Sequence, residues 1–498
     1  MGLTLLAQTS MPLDFWSSAF SHAVHVINRL PTRNAHPMQT RFKSGVYKPK
    51  LFSSIVTEKE PSSITEAFQS PQWTAAAQAE IFKLKRNVDG SVARYKGRLV
   101  VKSYLQEAGI DFHETFSPVV KPTIIRVVLA ITVSLGWSLR QVDVNNAFLN
   151  GDLSEEIYMV QPPCFEQSRT NGQQLVCKLG KVLYSLKQAP RAWFHKLREF
   201  LLSNKFEVSK ADNFLFINRS GNQFLYVLVY MDDIIVTGSN SSAISQFVKE
   251  LNDKFSLKDL GKLNYFLGIE VKYTLDGIFL NQKQYVLDLL KKAFMDKSTS
   301  CPTPMVSTCR LSAYERSLVE DESLFRSIVG ALQYVVIVRP DIAFSINKVC
   351  QFMHRPLDSH LKAVKRILRY LQGTIDHGLH FSCASKLVLE GYSDSSWGSN
   401  LDGGNPISWS SRKQQVVSRS TAEAEYRSLA NVTAEMVWLR SFLTELCVPV
   451  SKKSLFWCDS SAAVVVVGNL VMHSKFKYME LDMHLLSPLL PPLSSFAA

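Results

Sequence analysis

Apolar residues recur at helical spacing in three segments of this 498-residue chain. They predict a helix from about Leu13 to Leu30, a buried helix over Thr123–Leu135 and an amphipathic helix over residues 360–374. The last of these has an apolar stripe of five residues, Leu361, Val364, Ile367, Leu368 and Leu371. Its other side carries four cations, Lys362, Lys365, Arg366 and Arg369. Such a face is ordinarily only solvated, and it indicates contact with a nucleic-acid backbone only beside other observations.

Strand patterns surround three acidic residues. Residues 138–144 alternate between apolar and polar and predict a strand that ends near Asp143. Two β-branched and aromatic runs, 224–229 and 234–237, flank the sequence Tyr230-Met231-Asp232-Asp233. The pattern predicts a hairpin with two carboxylates at its turn.

Further strands are predicted nearer the two ends of the chain. Residues 81–104 contain two β-rich stretches around an Asp-Gly dipeptide, which is typical of hairpin turns. Towards the C-terminus, strand patterns occur in 389–397, 405–411 and 454–459, and a helix is predicted to begin near Ser420. These C-terminal elements predict a second α/β unit.

The composition is that of a basic globular protein, with 46% hydrophobic residues and a net charge of +13. The charge favours a polyanionic partner, usually nucleic acid, although a merely soluble basic protein would have it too. The eight cysteines include no C-x-x-C pair, so we expect neither a structural zinc site nor a disulfide framework. We find no signal peptide and no apolar run of 18 residues, so no membrane is expected and the predicted location is cytoplasmic or nuclear.

The three aspartates suit one kind of chemistry. Nucleotidyl transfer builds charge on the attacking and leaving oxygens, and two Mg²⁺ ions held by carboxylates can stabilise both. Asp143 at a strand end and Asp232–Asp233 at a hairpin tip could supply such carboxylates. An Asp-Asp pair in a turn is usually only a turn former, but the two apolar strands that flank this pair favour a built site.

Long ordered matches make the chain resemble the Pol polyprotein of copia-type retrotransposons. Tyr230–Asp233 is similar to the YxDD box of reverse transcriptases. Residues 141–165 (QVDVNNAFLNGDLSEEIYMVQPPCF), 176–194 (VCKLGKVLYSLKQAPRAWF) and 95–120 (YKGRLVVKSYLQEAGIDFHETFSPVV) resemble three further segments of that family. The matches recur over most of residues 81–380, and together they are far more specific than any one motif.

The resemblance implies an α+β chain in which a right-hand polymerase fold of fingers, palm and thumb is followed by a truncated ribonuclease H-like α/β domain. Asp143, Asp232 and Asp233 would hold two Mg²⁺ or Mn²⁺ ions. The expected partners are an RNA template, a DNA primer, an RNA–DNA hybrid and deoxynucleoside triphosphates, while the sequence indicates no oligomeric state. The four cations of helix 360–374 become candidate nucleic-acid contacts.

The resemblance also implies a nucleotide pocket. Phe148 would lie under the sugar, where a ring excludes a 2′-hydroxyl group. Arg98 and Lys102 would contact the triphosphate, and their charge suits a polyanionic ligand. Tyr184 and Met231 would line the same pocket.

A second metal site is implied in the C-terminal unit. GYSDSSW, SRSTAEAEYRSLA and WCDSSAA resemble ribonuclease H segments of the family, which makes Asp394, Glu425 and Asp459 candidate catalytic metal ligands. Glu423 is an alternative to Glu425 on a different helical face. Each acid alone is more often an ordinary surface carboxylate.

The chain departs from the family pattern in several places. Residues 402–406 run directly into the next segment where relatives have a further strand, and residues 487–498 lack the family's fourth acid, so hybrid cleavage is predicted to be defective. Residues 75–81 join where relatives carry about thirty more residues of the fingers. Ser185 and Ser103 stand where the family has glycine.

We therefore expect six regions. They are an integrase remnant (1–35), a linker (36–70), an incomplete reverse transcriptase (71–300), a connection (301–385), an incomplete ribonuclease H-like domain (386–485) and an unstructured tail (486–498). Three hypotheses follow. The chain is an RNA-directed DNA polymerase, a nucleic-acid-binding relic without activity, or a product that never folds stably.

Overall fold

The structure is a computed structural model, and it describes most of the chain between residues 101 and 460. The described residues are 83–86, 92–96, 101, 103–115, 120–161, 167, 175–306, 311–312, 317–384, 387–393, 405–411, 420–450, 454–458, 460 and 496–497. The predicted N-terminal helix, the linker and four candidate site residues lie outside them: Arg98, Lys102, Asp394 and Asp459.

The strands are numbered in chain order. They are β1 (Lys83–Arg86), β2 (Val92–Lys96), β3 (Ser138–Val144), β4 (Tyr158–Val160), β5 (Val176–Lys178), β6 (Glu207–Val208), β7 (Leu215–Ser220), β8 (Gln223–Tyr230), β9 (Asp233–Gly238), β10 (Leu257–Lys262), β11 (Tyr265–Phe266), β12 (Ile269–Tyr273), β13 (Gly277–Asn281), β14 (Leu379–Ser382), β15 (Glu390–Ser393), β16 (Leu455–Cys458) and β17 (Phe496–Ala497).

The α-helices are numbered in the same way. They are α1 (Pro122–Ser134), α2 (Ala189–Ser203), α3 (Ser241–Phe255), α4 (Lys283–Lys292), α5 (Glu322–Val335), α6 (Ala343–Cys350), α7 (Asp358–Gly373) and α8 (Thr421–Glu445). The mixture of helices and sheets confirms an α+β chain.

A six-stranded antiparallel sheet in the order β10-β3-β9-β8-β7-β6 is the centre of the fold. Its middle strands are buried in unbroken runs, such as Val227 to Val229 and Ile234 to Val236, because helices cover the sheet. The buried helix α1 packs into the same core. The strands predicted at 138–144, 224–229 and 234–237 are all confirmed, as is the hairpin formed by β1 and β2.

A second core is helical. It is formed by α4, α5, α6 and α7, whose apolar faces meet around Leu290, Leu332 and Ile367. The predicted boundary at residue 300 falls inside this core, because α4 precedes it and α7 follows it. A sheet of β11 to β14 joins the two cores, since β13 pairs with β14 from beyond α7.

The C-terminal unit differs from the expectation in two places. β15, β16 and β17 form a parallel sheet, so part of the predicted unstructured tail (486–498) is a strand. Residues 405–411 were predicted as a strand and are irregular instead. The Ile407 carbonyl and the Trp409 ring contact Arg126 of α1 instead of pairing with a neighbouring strand.

Helix α8 joins the C-terminal unit to the central sheet. It begins after Ser420, whose Oγ accepts a hydrogen bond from the Glu423 amide. Its apolar residues, including Leu439 and Phe442, belong to the same core as the six-stranded sheet. In the described part of the chain, no helix has both the length and the apolar character needed to span a bilayer.

Candidate active site

The candidate site lies where β3 and β9 end beside the β8–β9 turn. Asp143 of β3 is paired directly opposite Asp233 of β9, and Tyr230 is the partner of Asp233 across the hairpin. The backbone amide of Val144 donates to the Asp232 carbonyl at 3.0 Å. The sheet register therefore brings the three predicted aspartates, 143, 232 and 233, to one sheet edge from positions about 90 residues apart.

The turn itself has an uncommon backbone conformation. Met231 has a φ of 54°, in the left-handed region that side-chain-bearing residues adopt rarely. Its side chain is 43% exposed, so it is available to contact a ligand. Its position beside the nucleotide stays a prediction.

Asp233 is the most perturbed carboxyl group of the site. Burial raises its pKa to about 6, and the neighbouring carboxylates of Asp232 and Asp143 add to the increase. A hydrogen bond from the Gln141 amide to Asp233 Oδ1, at 3.2 Å, acts in the opposite direction. The negative charges are thus crowded in a partly buried position, where a cation would stabilise them.

The donor set fits a hard divalent cation. Carboxylate oxygens are the ligands that Mg²⁺ prefers, and three of them end on adjacent backbone positions here. Among the described residues, no three His, Cys, Asp or Glu side chains are already grouped closely enough to hold a metal ion. Side-chain rotation at Asp143 or Asp232 would therefore accompany any ion binding.

Two aromatic residues that were predicted to line the nucleotide pocket meet in the structure. Phe148 lies on the 3₁₀ turn Ala147–Asn150 that follows β3. Its ring contacts that of Tyr184 edge-on, with centroids 5.1 Å apart. The two predicted pocket residues are therefore neighbours, and Tyr184 is buried while Phe148 remains half-exposed.

Ser185, next to Tyr184, explains why the family has glycine there. Its φ of 71° lies in the left-handed region, where a side chain is strained. Ser103, at the other family glycine position, is not among the described residues with positive φ. Only one of the two serines thus occupies a conformation that favours glycine.

Replacing Ser185 with glycine is expected to stabilise the protein by about 1 kcal/mol, because glycine adopts this conformation without strain. Ser103→Gly is the matched control and should stabilise nothing. Chemical denaturation followed by circular dichroism measures both. Equal effects of the two substitutions would contradict the explanation.

The four cations of the basic helix α7 divide into two pairs. Lys362 and Lys365 are exposed. Arg366 donates to Thr303 Oγ1 at 2.8 Å, and Arg369 donates to the Thr299 carbonyl at 2.6 Å. The two arginines therefore bind the segment that precedes the helix. Of the four cations, only the two lysines are exposed, where they could contact a phosphate backbone.

The C-terminal candidates are only partly described. β15 and β16 run parallel with Ser393 opposite Cys458, and these residues immediately precede Asp394 and Asp459 in the sequence. Glu425 is buried on α8. Glu423, the alternative, is also buried and forms a 2.8 Å ion pair with Arg427 one turn later.

Sequence reasoning missed two residues that contact the turn. Gln141 reaches Asp233, and the indole N–H of Trp193 donates to the Met231 carbonyl at 2.7 Å. The signal for Gln141 was a polar residue at a buried strand position, two residues before Asp143. Trp193 has the spacing of an ordinary core residue, so nothing in the pattern distinguished it.

Comparison with known proteins gives similarity over most of the chain. The family described as reverse transcriptase (RNA-dependent DNA polymerase) matches residues 69–307. The chain is 42% identical over 495 residues to the Retrovirus-related Pol polyprotein from transposon RE1 of Arabidopsis thaliana, covering 91% of this chain and 34% of that protein. It is 37% identical over 426 residues to the corresponding polyprotein from transposon TNT 1-94 of Nicotiana tabacum, covering 81% of this chain and 32% of the relative. The chain thus spans about a third of the length of these relatives.

Proposed function

We propose that this chain, which belongs to the copia-type family of retrotransposon Pol polyproteins, acts as an RNA-directed DNA polymerase at the edge of its six-stranded sheet. The observation that carries the proposal is the register that sets Asp143 opposite Asp233 at the β8–β9 turn. The reaction is inferred from the relatives. The three aspartates supply carboxylates that can bind the divalent cations this reaction uses.

In this proposal Asp143, Asp232 and Asp233 hold two Mg²⁺ or Mn²⁺ ions. Bound there, the ions would stabilise charge on the attacking and leaving oxygens. Gln141 orients the Asp233 carboxylate through its amide. The RNA template and DNA primer would have Lys362 and Lys365 of α7 as phosphate contacts.

The nucleotide pocket is proposed beside the Phe148 and Tyr184 rings. The edge-on contact fixes the Phe148 ring, and a fixed ring under the sugar would exclude a 2′-hydroxyl group. Met231, exposed on the turn, would contact the same nucleotide. Arg98 and Lys102 would neutralise the triphosphate charge.

The C-terminal unit is proposed to have lost hybrid cleavage. The strand that relatives have around residues 402–406 has no counterpart in the sequence, while Asp394, Glu425 and Asp459 keep the family's first three acidic positions. The test incubates an RNA–DNA hybrid, labelled in its RNA strand, with this chain and, in parallel, with a relative that cleaves the RNA of a hybrid. Release of labelled RNA fragments by this chain would contradict the proposal.

The proposed polymerase is tested by extension of an oligo-dT primer on poly-A with dTTP and Mg²⁺. We expect extension that stops when EDTA removes the metal. Salt-sensitive binding of the primer–template without extension would favour the second candidate, a nucleic-acid-binding relic. Limited proteolysis that leaves no stable core would favour an unfolded product.

Replacing Phe148 with valine is expected to reduce discrimination against UTP by roughly tenfold to a hundredfold, because the smaller side chain no longer excludes the 2′-hydroxyl group. The ratio of kcat/KM for dTTP and UTP measures the effect. Phe194→Leu removes another half-buried ring, which contacts Phe214 and not Tyr184, and it should leave the ratio unchanged. An unaltered ratio in the Phe148 variant would remove this residue from the pocket.

A further inference from the structure

The β8–β9 turn is held from two sides. The Trp193 indole N–H of α2 donates to the Met231 carbonyl at 2.7 Å, and the Val144 amide of β3 donates to the Asp232 carbonyl at 3.0 Å. Both carbonyl groups of the turn therefore have partners from other elements. These bonds act on a residue whose φ of 54° is intrinsically unfavourable, so the turn depends on its surroundings.

Trp193 is itself fixed in place. Its side chain is 1% exposed, and its ring meets the Phe255 ring edge-on with centroids 5.1 Å apart. The helix approaches Gly151 so closely that a Cβ there would lie 3.0 Å from the Trp193 backbone nitrogen. Gly151 directly follows the 3₁₀ turn that carries Phe148. The contact between Gly151 and Trp193 therefore connects the proposed nucleotide pocket to the β8–β9 turn.

We infer that Trp193 is a positioning residue, which holds the Met231 backbone in its left-handed conformation and so sets where the carboxylate of Asp232 stands. The inference rests on the proposed polymerase function for its catalytic consequence. The contact itself is independent of it. Any buried indole N–H needs an acceptor, and the acceptor that Trp193 uses is the carbonyl of the residue with the strained backbone.

The distinguishing variant is Trp193→Phe, which keeps an aromatic ring and removes the donor. We expect kcat for dTTP incorporation to fall about tenfold, with KM changed less than about twofold, because a lost bond to a constrained backbone displaces the reacting groups. Phe255→Leu is the matched control. It loosens the packing around Trp193 without touching the bond, and it should lower thermal stability without that loss of kcat.

A double-mutant cycle identifies the cause. Glycine adopts positive φ without strain, so in a Met231→Gly background the turn should persist without the bond. We expect Trp193→Phe to cost only about twofold in kcat there, compared with about tenfold in the Met231 background. Equal losses in the two backgrounds would overturn the inference.

A readout that needs no activity separates this inference from the polymerase proposal. With ¹³C-methyl methionine, the Met231 resonance is assigned by its absence in Met231→Gly. We expect Trp193→Phe to shift it and Phe255→Leu to leave it in place. If the chain extends no primer, the polymerase proposal fails. The Met231 resonance still tests whether the bond from Trp193 positions the Met231 backbone. An unshifted resonance in Trp193→Phe overturns the positioning role.

Discussion

Replacing Asp143 with asparagine is expected to reduce primer extension by about a thousandfold or more. The substitution preserves shape and removes the charge that a divalent cation requires, and metal-held charge stabilisation supplies much of the barrier reduction in such sites. Asp232→Asn should behave alike, because both side chains stand beside Asp233 at the turn. Single-turnover incorporation of dTTP across a range of Mg²⁺ concentrations measures the loss.

The control for this prediction is Asp253→Asn. Asp253 is an exposed carboxylate on α3, and its substitution makes the same change in net charge at a group that is not among those that shift the pKa of Asp233. We expect activity within about twofold of wild type from that variant. Calorimetric titration with Mn²⁺ should show weakened binding for Asp143→Asn alone. Near-normal extension by Asp143→Asn would exclude this sheet edge as the active site.

Local periodicity was sufficient to predict the elements that carry the candidate site. β3 was predicted over its whole length, and the two strands of the hairpin were predicted to within a residue or so at each end. These strands are buried or alternate so regularly that tertiary packing and local pattern agree. The direct pairing of Asp143 with Asp233 could not be predicted, because register depends on strand neighbours that are distant in sequence.

Contacts between distant segments account for the remaining differences. Residues 405–411 alternate like a strand, but the Ile407 carbonyl and the Trp409 ring contact Arg126 of α1. Arg369 of α7, a candidate nucleic-acid contact, donates to the Thr299 carbonyl, a bond that the local pattern did not predict. In each case a polar or aromatic residue has a partner about 70 or more positions away, which no local window contains.

Other contacts between distant segments give the C-terminal unit a structural role. The Glu445 carboxylate at the end of α8 accepts hydrogen bonds from the Lys210 amide and the Ser209 hydroxyl group, at 2.7 and 3.1 Å. The Tyr226 hydroxyl group, buried in β8, donates to the Leu446 carbonyl. The C-terminal unit therefore packs against the central sheet through the end of α8.

Arg126 is the most deeply buried charge in this connection. It donates to the Ile407 and Ile337 carbonyls at 2.6 and 3.0 Å, and its guanidinium group lies 3.9 Å from the centre of the Trp409 ring. Burial lowers its pKa to about 10, and Glu435 partly offsets that effect. The group is thus charged at neutral pH and satisfied by carbonyls of two separate segments.

Arg126→Ala is accordingly expected to destabilise the protein by about 3 kcal/mol, because it leaves a cavity and two carbonyl groups without their donor. Arg126→Met should cost less, since its chain fills part of the space and removes the buried charge. Arg140→Ala is the control. Arg140 forms a half-exposed ion pair with Asp259, and its loss should cost less than about 1 kcal/mol.

Hydrogen exchange measured by mass spectrometry locates the effect of Arg126→Ala. Peptides from residues 405–411 and from α1 should exchange faster in this variant, while the β8–β9 hairpin keeps its protection because its own ladder is unchanged. Primer extension at low temperature should remain, since Arg126 contacts none of the three aspartates. Unchanged exchange at 405–411 would show that the segment is held by other contacts, and a parallel loss of hairpin protection would show that the C-terminal unit and the central sheet unfold as one.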